Sequence, residues 1–390
     1  MSMSEHAKMQ DLLTPFRDHY HNRDRAGRKA NAQGMRVMGR TSFDVPVEPI
    51  LAAGFFPLML TADLARATPL ADHYVDPELP GETRILFETI AGGDYEFLDL
   101  LILARAQDKL YYFLKEVYRL GRAPKMPALM MYDIMPSLRD SVSAYNRNRY
   151  AAFLERLTRL SHGRLTEESL RQASLLTNQI RGLQRHVQDL RLHGQMKGSD
   201  ALHVIGAGSF MALEDYASAL AHLLKHVPTS APSAKPGSGL LIVSAEPIRF
   251  TQLHELIEEL GGHVMAEDDA WGSRAAGADI SLEGPISQAI FEKYTVHSPG
   301  PDSFPAEKRE GFLKTMAAHA QIGGVIFYVP PSDRKLGWDL PRLTTMIHAM
   351  GMPCVSLFKD LAKTNGAQQI RQDLQSFLSQ HPSLMSHQGK

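Results

Sequence analysis

The sequence predicts an α/β protein with two Rossmann-like, doubly wound parallel-sheet domains and an intervening helical region. Short apolar runs alternate with helical patterns in residues 1–136 and again in residues 240–390, as in parallel strands joined by crossover helices. Residues 137–226 have an almost wholly helical pattern, and residues 227–239 are rich in Pro, Ser, Ala and Gly. We therefore expect an N-terminal α/β domain, a helical domain, a linker and a C-terminal α/β domain over these four ranges.

The elements of the N-terminal domain follow from local patterns. Leu110, Leu114 and Val117 recur at the spacing of one helix face. The adjacent glycines Gly92 and Gly93 are typical of a helix end. We predict helices at residues 45–53, 82–91 and 109–120 and strands at residues 55–60, 98–103 and 128–132.

The helical and C-terminal domains are predicted in the same way. Thr166 is a good N-cap for a long helix, because its side chain can accept a hydrogen bond from a free N–H group and two acidic residues follow it. A further helix is expected at residues 212–226. After the linker we predict strands at residues 240–243, 263–265, 325–329 and 354–357 and helices at residues 250–260, 305–320, 341–350 and 368–378.

The charge balance argues against nucleic acid as a partner. Lys and Arg number 42 and Asp and Glu number 43, so no excess of positive charge is available for a phosphate backbone. Residues 1–20 are polar and of mixed charge, and the apolar runs elsewhere have the length of strands. We therefore expect a soluble, cytoplasmic protein that has no membrane partner.

Cys354 is the only cysteine, and this is the most restrictive fact in the sequence. A disulfide within the chain is impossible, and so is a zinc site or an iron–sulfur cluster held by several thiolates of this chain. Cys354 lies in an apolar run that predicts a strand, so we expect a buried structural thiol.

No catalytic signature is complete. The sequence has neither a phosphate loop of the G-x-x-x-x-G-K-[ST] type nor a nucleophile elbow of the G-x-S-x-G type. Gly206 and Gly208 supply half of a dinucleotide fingerprint, but they follow a helical pattern rather than a strand, which argues against a nucleotide site. His222 and His226 have the spacing of a metal-binding pair, yet no third ligand is near, so a solvated helix face is the better interpretation.

The turn Gly272-Ser273-Arg274 is the strongest candidate for ligand binding. It follows a predicted strand, at the end where open α/β sheets bind ligands, and it offers N–H groups and a guanidinium to a phosphate or a thioester carbonyl. The alternative for Arg274 is a structural ion pair with a nearby Asp. Arg84 and Glu88 are one helical turn apart, so a surface ion pair is the alternative to a ligand contact there.

Several short segments follow one another in the order of one family's motifs. In residues 42–58, Ser42 precedes a helix that begins Pro-x-Glu and an Ala-Gly-strand segment, where the family has a cysteine at the first position. In residues 84–99, an Arg-bearing helix leads into a Tyr-Glu-Phe-Leu-Asp strand. Further matching segments are residues 198–211, 268–274, 339–341, 351–353 and 366–371. On these motifs the chain resembles the 2-hydroxyacyl-CoA dehydratase and benzoyl-CoA reductase family.

The resemblance implies a subunit of a heterodimer that acts on CoA thioesters. In the family, cysteines near the domain junction hold iron–sulfur clusters, and a separate ATP-hydrolysing activator supplies them with electrons at low potential. The electron makes a radical from the acyl-CoA, which leads to dehydration of a 2-hydroxyacyl-CoA or to reduction of an aromatic ring. The implied partners are therefore a cluster-bearing homologous subunit, an ATP-dependent electron activator and an acyl-CoA substrate.

The chain departs from the family at the cluster cysteines. Ser42 and Gln107 stand at two of these positions, and the others fall at or near Pro80, Gly300 and Ser332. Hydroxyl and carboxamide groups cannot replace several thiolates on iron. We therefore expect no metal or cofactor on this chain, a [4Fe-4S]-type cluster in the partner subunit, and ATP with Mg in the activator.

Two classes of function stay open. In the first, the chain is the clusterless subunit of an ATP-dependent benzoyl-CoA reductase of anaerobic aromatic degradation, or alternatively of a 2-hydroxyacyl-CoA dehydratase. In the second, it is a non-catalytic scaffold or maturation factor with the same fold. For the first class the candidate catalytic residues are Glu48 and Gln107. The candidate contacts to CoA or the thioester are Gly272, Ser273, Arg274 and Arg84.

Overall fold

The computed structural model of the chain describes residues 3–63, 66–227, 234–244, 251–297, 300–301, 304–331 and 333–385. These residues form two four-stranded sheets in which every strand pair is parallel, with helices between the strands. The predicted fold class is therefore confirmed. Within the described ranges, no helix is both long and apolar enough to cross a membrane. Ser332, most of the predicted linker and the start of the helix predicted at residues 250–260 lie outside the described residues.

The first sheet has the strand order β2-β1-β3-β4. The sequence pattern does not predict β1, because Val-Met-Gly-Arg is short and has only two apolar side chains. It forms a strand because it pairs on both sides, with Met38 opposite Pro57 in β2 and Leu100 in β3. All residues of β1 are buried as a result. The strands are β1 (Val37–Arg40), β2 (Phe56–Met59), β3 (Leu100–Ala104) and β4 (Leu129–Tyr132).

The helices of the N-terminal part agree with the predicted ones where a prediction exists, within a few residues. The predicted helix at residues 45–53 is shorter in the structure and has Pro49 in its first turn, where the missing N–H has no helical partner to lose. Gly93 ends another helix with a positive φ of 93°, as expected from the glycine pair. The helices are α1 (Met3–His21), α2 (Arg25–Ala32), α3 (Glu48–Ala52), α4 (Pro69–Tyr74), α5 (Gly81–Gly92) and α6 (Asp108–Arg119).

The middle of the chain is helical, as predicted. Thr166 caps its long helix through a reciprocal pair of hydrogen bonds with Ser169, of 3.1 and 2.8 Å. The N-terminal helix α1 also packs here, since Leu13 and Phe16 share an apolar cluster with Leu220. The helices of this region are α7 (Asp140–Leu160), α8 (Glu167–Leu192), α9 (Gly198–Ala207) and α10 (Leu213–His226).

The second sheet repeats the order of the first as β6-β5-β7-β8. All of its strands were expected from the sequence, whereas the short helix α12 was not. The strands are β5 (Gly239–Val243), β6 (Val264–Glu267), β7 (Ile322–Tyr328) and β8 (Cys354–Leu357). The helices are α11 (Gln252–Glu259), α12 (Ile286–Glu292), α13 (Glu307–Ala317), α14 (Arg334–Ala349) and α15 (Thr364–Gln380).

Helix α14 begins well before the position that the sequence predicts. The prediction opens this helix at Pro341, because proline is common in a first helical turn. In the structure Asp333 is the N-cap, and its carboxylate accepts a hydrogen bond of 3.0 Å from the Leu336 N–H. Pro341 lies inside the helix, where it removes one backbone hydrogen bond but does not end the helix.

Cys354 is half-buried, so the expectation of a fully buried thiol is wrong. It lies on β8, the last strand in the order of its sheet, where only one side is covered by a neighbouring strand. Its Sγ is 3.3 Å from Nε2 of His348. Partial burial raises the pKa of the Cys354 thiol, so the neutral form is favoured at neutral pH.

Candidate functional site

A cleft of about 1230 Å³ lies at the carboxyl ends of strands from both sheets. In the first sheet, the connection after β1 leads to one edge of the sheet and the connection after its neighbour β3 leads to the other edge. The second sheet has the same arrangement at β5 and β7. Ligands of open parallel sheets bind at such switch points. Residues 41–44 follow β1, residues 105–109 follow β3 and residues 333–335 follow β7, and all of them line the cleft.

The structure brings together four of the five positions at which the resemblance implies cysteines. Ser42, Gln107 and Gly300 line the cleft, and so does Pro80. Ser332 lies outside the described residues. These positions are far apart in the sequence. Ser42 and Gln107 meet because they follow β1 and β3, whose carboxyl ends lie at the same edge of the first sheet.

The side chains at two of these positions are held by local hydrogen bonds. The Ser42 hydroxyl donates to the Asp44 carboxylate over 3.0 Å. The Gln107 amide donates to the Thr41 carbonyl oxygen over 3.2 Å, and its carboxamide oxygen accepts from the Thr41 hydroxyl. The ends of β1 and β3 are thereby tied to each other at the wall of the cleft.

Glu48 lies behind this wall, at the first position of α3, and it is fully buried. Its carboxylate accepts from the Thr177 hydroxyl at 2.9 Å, the Tyr294 hydroxyl at 2.9 Å and the Arg181 guanidinium at 3.2 Å. Burial by itself raises the pKa of Glu48, but the charges of Arg181 and Lys293 outweigh it and hold the pKa below its usual value. Glu48 is therefore an anion at neutral pH, and both of its carboxylate oxygens accept hydrogen bonds.

Two cationic side chains near Glu48 are not predicted from the sequence as site residues. Arg40 ends β1, Lys293 follows α12, and both are buried and line the cleft. Burial and then the charge of Arg181 lower the pKa of Lys293, Glu48 opposes the shift, and the resulting pKa is about 8. Burial also lowers the pKa of Arg40. No periodicity marks these residues, because the burial of a charge depends on the tertiary fold.

Arg274 lines the cleft and also forms the structural ion pair that was its alternative. Its Nε donates to Asp268 over 2.6 Å, and its guanidinium lies 3.8 Å from the ring centroid of Phe312. Asp268 is shared with Arg309, whose Nε is 2.7 Å from the second carboxylate oxygen. The guanidinium of Arg274 is thus oriented by fixed partners at the surface of the cleft.

Gly272 and Ser273 face the interior instead and do not line the cleft. The Gly272 carbonyl oxygen accepts a hydrogen bond of 3.2 Å from Gln188 of α8. The Ser273 hydroxyl accepts from the backbone N–H of Glu267 and from Arg191, both at 3.2 Å. These two residues anchor α8 to the end of β6, so the turn offers only Arg274 to a ligand in the cleft.

A buried ion cluster joins α8 to the second sheet at the same place. The carboxylate of Glu267 lies between Arg191 and the imidazole of His254, and all three side chains are buried. His254 Nε2 is 2.7 Å from the carboxylate. Burial alone raises the pKa of Glu267, but Arg191 and His254 outweigh it and lower the pKa to about 2. The sequence does not predict this cluster, because its members come from three separate elements.

Gly272→Ala is expected to lower the free energy of unfolding by about 1–3 kcal/mol, because the new methyl group overlaps buried atoms. A Cβ at Gly272 lies 2.7 Å from Cβ and Cδ of Glu267, which the ion cluster holds in place. Urea denaturation of the full chain measures the change. Gly311→Ala is the control, since Gly311 is an exposed residue of α13 with open space around it, and there we expect no loss of stability. Equal effects of the two substitutions contradict this account.

Arg84 and Glu88 do not pair with each other, so the interpretation as a surface ion pair is wrong. Arg84 donates to the carbonyl oxygens of Val75 at 3.2 Å and Asp76 at 3.0 Å, and it pairs with Asp72. The buried carboxylate of Glu88 accepts from a backbone N–H in the first turn of α4 over 2.9 Å. Both side chains hold the segment before α5, and Arg84 does not line the cleft.

The remaining sequence candidates have structural roles. The imidazole rings of His222 and His226 are tilted at 40° to each other with centroids 4.3 Å apart, and the described residues contain no group of three potential metal ligands. Gly206 packs against an aromatic ring, since a Cβ there lies 2.6 Å from Cε2 of Tyr20. Gly208 is equally close to the ring of Tyr216. These glycines permit close helix packing at the end of α9.

The fold and the cleft define a class of α/β protein with two parallel sheets whose switch points face one ligand-sized cleft. Residues 42–380 match the family described as 2-hydroxyglutaryl-CoA dehydratase, D-component, and the chain belongs to this family of dehydratase components. The beta subunit of (R)-phenyllactyl-CoA dehydratase from Clostridium sporogenes is similar, with 20% identity over 355 residues. The similarity covers 88% of this chain and 91% of that protein. The family resemblance seen in the motifs is confirmed.

Proposed function

We propose that the chain is a clusterless subunit of a heteromeric enzyme that processes acyl-CoA, and that the cleft receives the acyl-CoA. Membership of a dehydratase family supports a role in an enzyme complex, and the similar protein is named as a beta subunit. Both comparisons name dehydratases. We therefore propose that the reaction is dehydration of a 2-hydroxyacyl-CoA, rather than the ring reduction that the sequence first suggested. A cluster-bearing homologous subunit and an ATP-dependent electron activator complete the proposed system.

The observation that carries this proposal is the single cleft shared by the switch points of both sheets. Its volume of about 1230 Å³ exceeds that of most drug-sized pockets, which suits a ligand as long as a CoA thioester. Exposed cations stand at its edge, namely Lys109, Arg334 and Lys363, and these suit the phosphates of CoA. Arg274 and Gln107 line the same cleft, and in this proposal their N–H groups donate hydrogen bonds to the thioester end.

The donor atoms on the cleft do not fit an iron–sulfur cluster. The family's cysteine positions offer the hydroxyl of Ser42, the carboxamide of Gln107 and a glycine without a side chain at residue 300. The thiol of Cys354 is on β8 and does not line the cleft. Cluster iron needs several thiolate ligands. This mismatch supports the proposal that the partner subunit carries the cluster, and we assign no redox step to residues of this chain.

Arg274→Gln is expected to weaken acyl-CoA binding about 10- to 100-fold, since one charge-assisted hydrogen bond to the ligand is lost. The fold should tolerate the change, because Asp268 keeps its ion pair with Arg309. The measurement is calorimetric titration of an acyl-CoA into the chain co-purified with its cluster-bearing partner. Arg371→Gln is the matched control, because Arg371 pairs with Glu259 on the surface away from the cleft.

The outcome separates the two classes of function. Acyl-CoA binding that depends on Arg274 and not on Arg371 supports the enzyme subunit. A complex that does not bind acyl-CoA, or binds it equally well after Arg274→Gln, contradicts the proposal and favours a non-catalytic scaffold.

A further inference from the structure

We infer that Arg40 and Lys293 form an anion site on the inner wall of the cleft, which binds a carboxylate or phosphate oxygen of the ligand. The inference rests on the proposed function for the identity of that ligand as an acyl-CoA. It goes further by assigning a charged part of the ligand to two named residues, neither of which belongs to a family motif in the sequence.

Lys293 is a buried residue whose ammonium group makes no direct ion pair within the part of the chain that the structure describes. The residue is 8% exposed and lines the cleft. Its Nζ makes neither a hydrogen bond nor an ion pair with any residue that the structure describes, and it lies 4.0 Å from the ring centroid of Tyr294. An ammonium group removed from water in this way costs several kcal/mol unless a partner is supplied.

Arg40 is the second buried cation of the site. The residue is 7% exposed and lines the cleft. Its Nη1 donates to the carbonyl oxygens of Ser42 at 3.1 Å and Val45 at 3.4 Å, while its buried Nε has no hydrogen-bond partner among the described residues. The two carbonyl contacts orient the guanidinium but do not neutralise its charge.

Glu48 cannot neutralise both cations. Its carboxylate carries one negative charge and already accepts hydrogen bonds from Arg181, Thr177 and Tyr294. Arg40, Arg181 and Lys293 therefore face one buried carboxylate. The other acids near them, Asp44 and Asp279, are exposed to solvent, so the excess of two positive charges holds for the buried groups. A buried excess of positive charge beside a cleft is a site for an anion. The matching chemical groups are a carboxylate at the end of the acyl group and a phosphate of CoA.

Lys293→Met tests the site in the full chain. Calorimetric titrations use CoA, butyryl-CoA, glutaryl-CoA and free glutarate, which differ in whether they carry a phosphate, an acyl carboxylate or both. We expect the variant to weaken binding of the anion that occupies the site about 10- to 100-fold. Lys293→Arg should retain binding, because it keeps the charge. Lys115→Met is the control, since Lys115 is an exposed lysine of α6 outside the cleft.

The pattern across the probes identifies the source of the anion. Loss for glutaryl-CoA and glutarate but not for butyryl-CoA assigns an acyl carboxylate, whereas equal loss for all three CoA compounds assigns a phosphate. Unchanged affinities after both Lys293→Met and Arg40→Met overturn the anion site, even when acyl-CoA still binds and the proposed function survives. Lys293-dependent binding of glutarate without any binding of CoA compounds supports the anion site and contradicts the acyl-CoA function.

Two further measurements exclude a purely structural role. Without ligand, Lys293→Met should leave the melting temperature unchanged or raise it, because the substitution removes a repelled charge; a structural lysine predicts a fall. In the wild-type chain, affinity for the probe that binds should decrease as pH rises through about 8, where Lys293 loses its proton. The groups facing it are Arg40, Arg181, Glu48, Asp279 and Tyr294. Affinity that is constant across this range also overturns the site.

Discussion

Glu48→Gln is expected to lower the free energy of unfolding by about 3–5 kcal/mol, the cost of breaking a buried ion pair by removing one partner. The substitution keeps the shape of the side chain but removes the only buried negative charge that the described residues place beside Arg40, Arg181 and Lys293. Three cations then repel one another in a region with little water. Urea denaturation of the full chain, followed by circular dichroism, measures the effect.

Two companion variants show whether repulsion is the cause. Glu155→Gln is the control, because Glu155 pairs with Arg159 on the solvent-exposed face of α7. This substitution should lower the free energy of unfolding by less than about 1 kcal/mol. Combining Glu48→Gln with Lys293→Met should recover part of the lost stability, since one of the repelling charges is gone. A loss below about 1 kcal/mol for Glu48→Gln alone, or no recovery in the double variant, contradicts this description of the cluster.

Glu267→Gln is expected to have an effect of similar size, about 3–5 kcal/mol, for the same physical reason at a different place. Its carboxylate is the buried counter-ion of Arg191 and holds the imidazole of His254. The loss should spread over both the helical region and the second sheet, because Arg191 is on α8 and Glu267 ends β6. Hydrogen exchange measures this spread, and protection lost only near β6 contradicts it.

The same carboxylate predicts a dependence of stability on acid. The pKa of Glu267 in the folded chain is about 2, below its ordinary value of 4.5. Its stabilising contribution is therefore fully present above about pH 4.5 and is lost as pH falls through about 2. We expect the wild-type chain to lose stability over this range more steeply than Glu267→Gln does. Equal slopes in urea titrations at several pH values contradict the assignment.

The sequence predicts most of the fold because its strands are apolar runs between helical patterns. The exceptions have physical reasons. β1 has only two apolar residues and depends on pairing at both edges, which is a long-range effect. Helix α14 starts at an Asp333 cap, whereas Pro341 suggested a later start. Cys354 is in a strand as predicted, but a single sequence does not show that this strand is at the edge of its sheet.

The candidate site is predicted only in part. Ser42 and Gln107 line one cleft because they follow β1 and β3, whose carboxyl ends lie at the same sheet edge, and Gly300 lines this cleft as well. The packing of α8 behind the turn at residues 272–274 determines which of its side chains meets the cleft. The sequence does not show this packing, so it predicts a ligand contact for all three residues. Arg40 and Lys293 give no local signal, since a buried charge has the same sequence pattern as a solvated one.

The most direct test of the clusterless subunit is the iron and acid-labile sulfide content of the chain after anaerobic purification and reconstitution with iron and sulfide. The measurement is made on the chain alone and on its complex with the cluster-bearing partner. We expect background iron on the chain alone and cluster iron in the complex, attributable to the partner, since the cleft offers no thiolate. Stoichiometric iron and sulfide on the chain alone contradict the account.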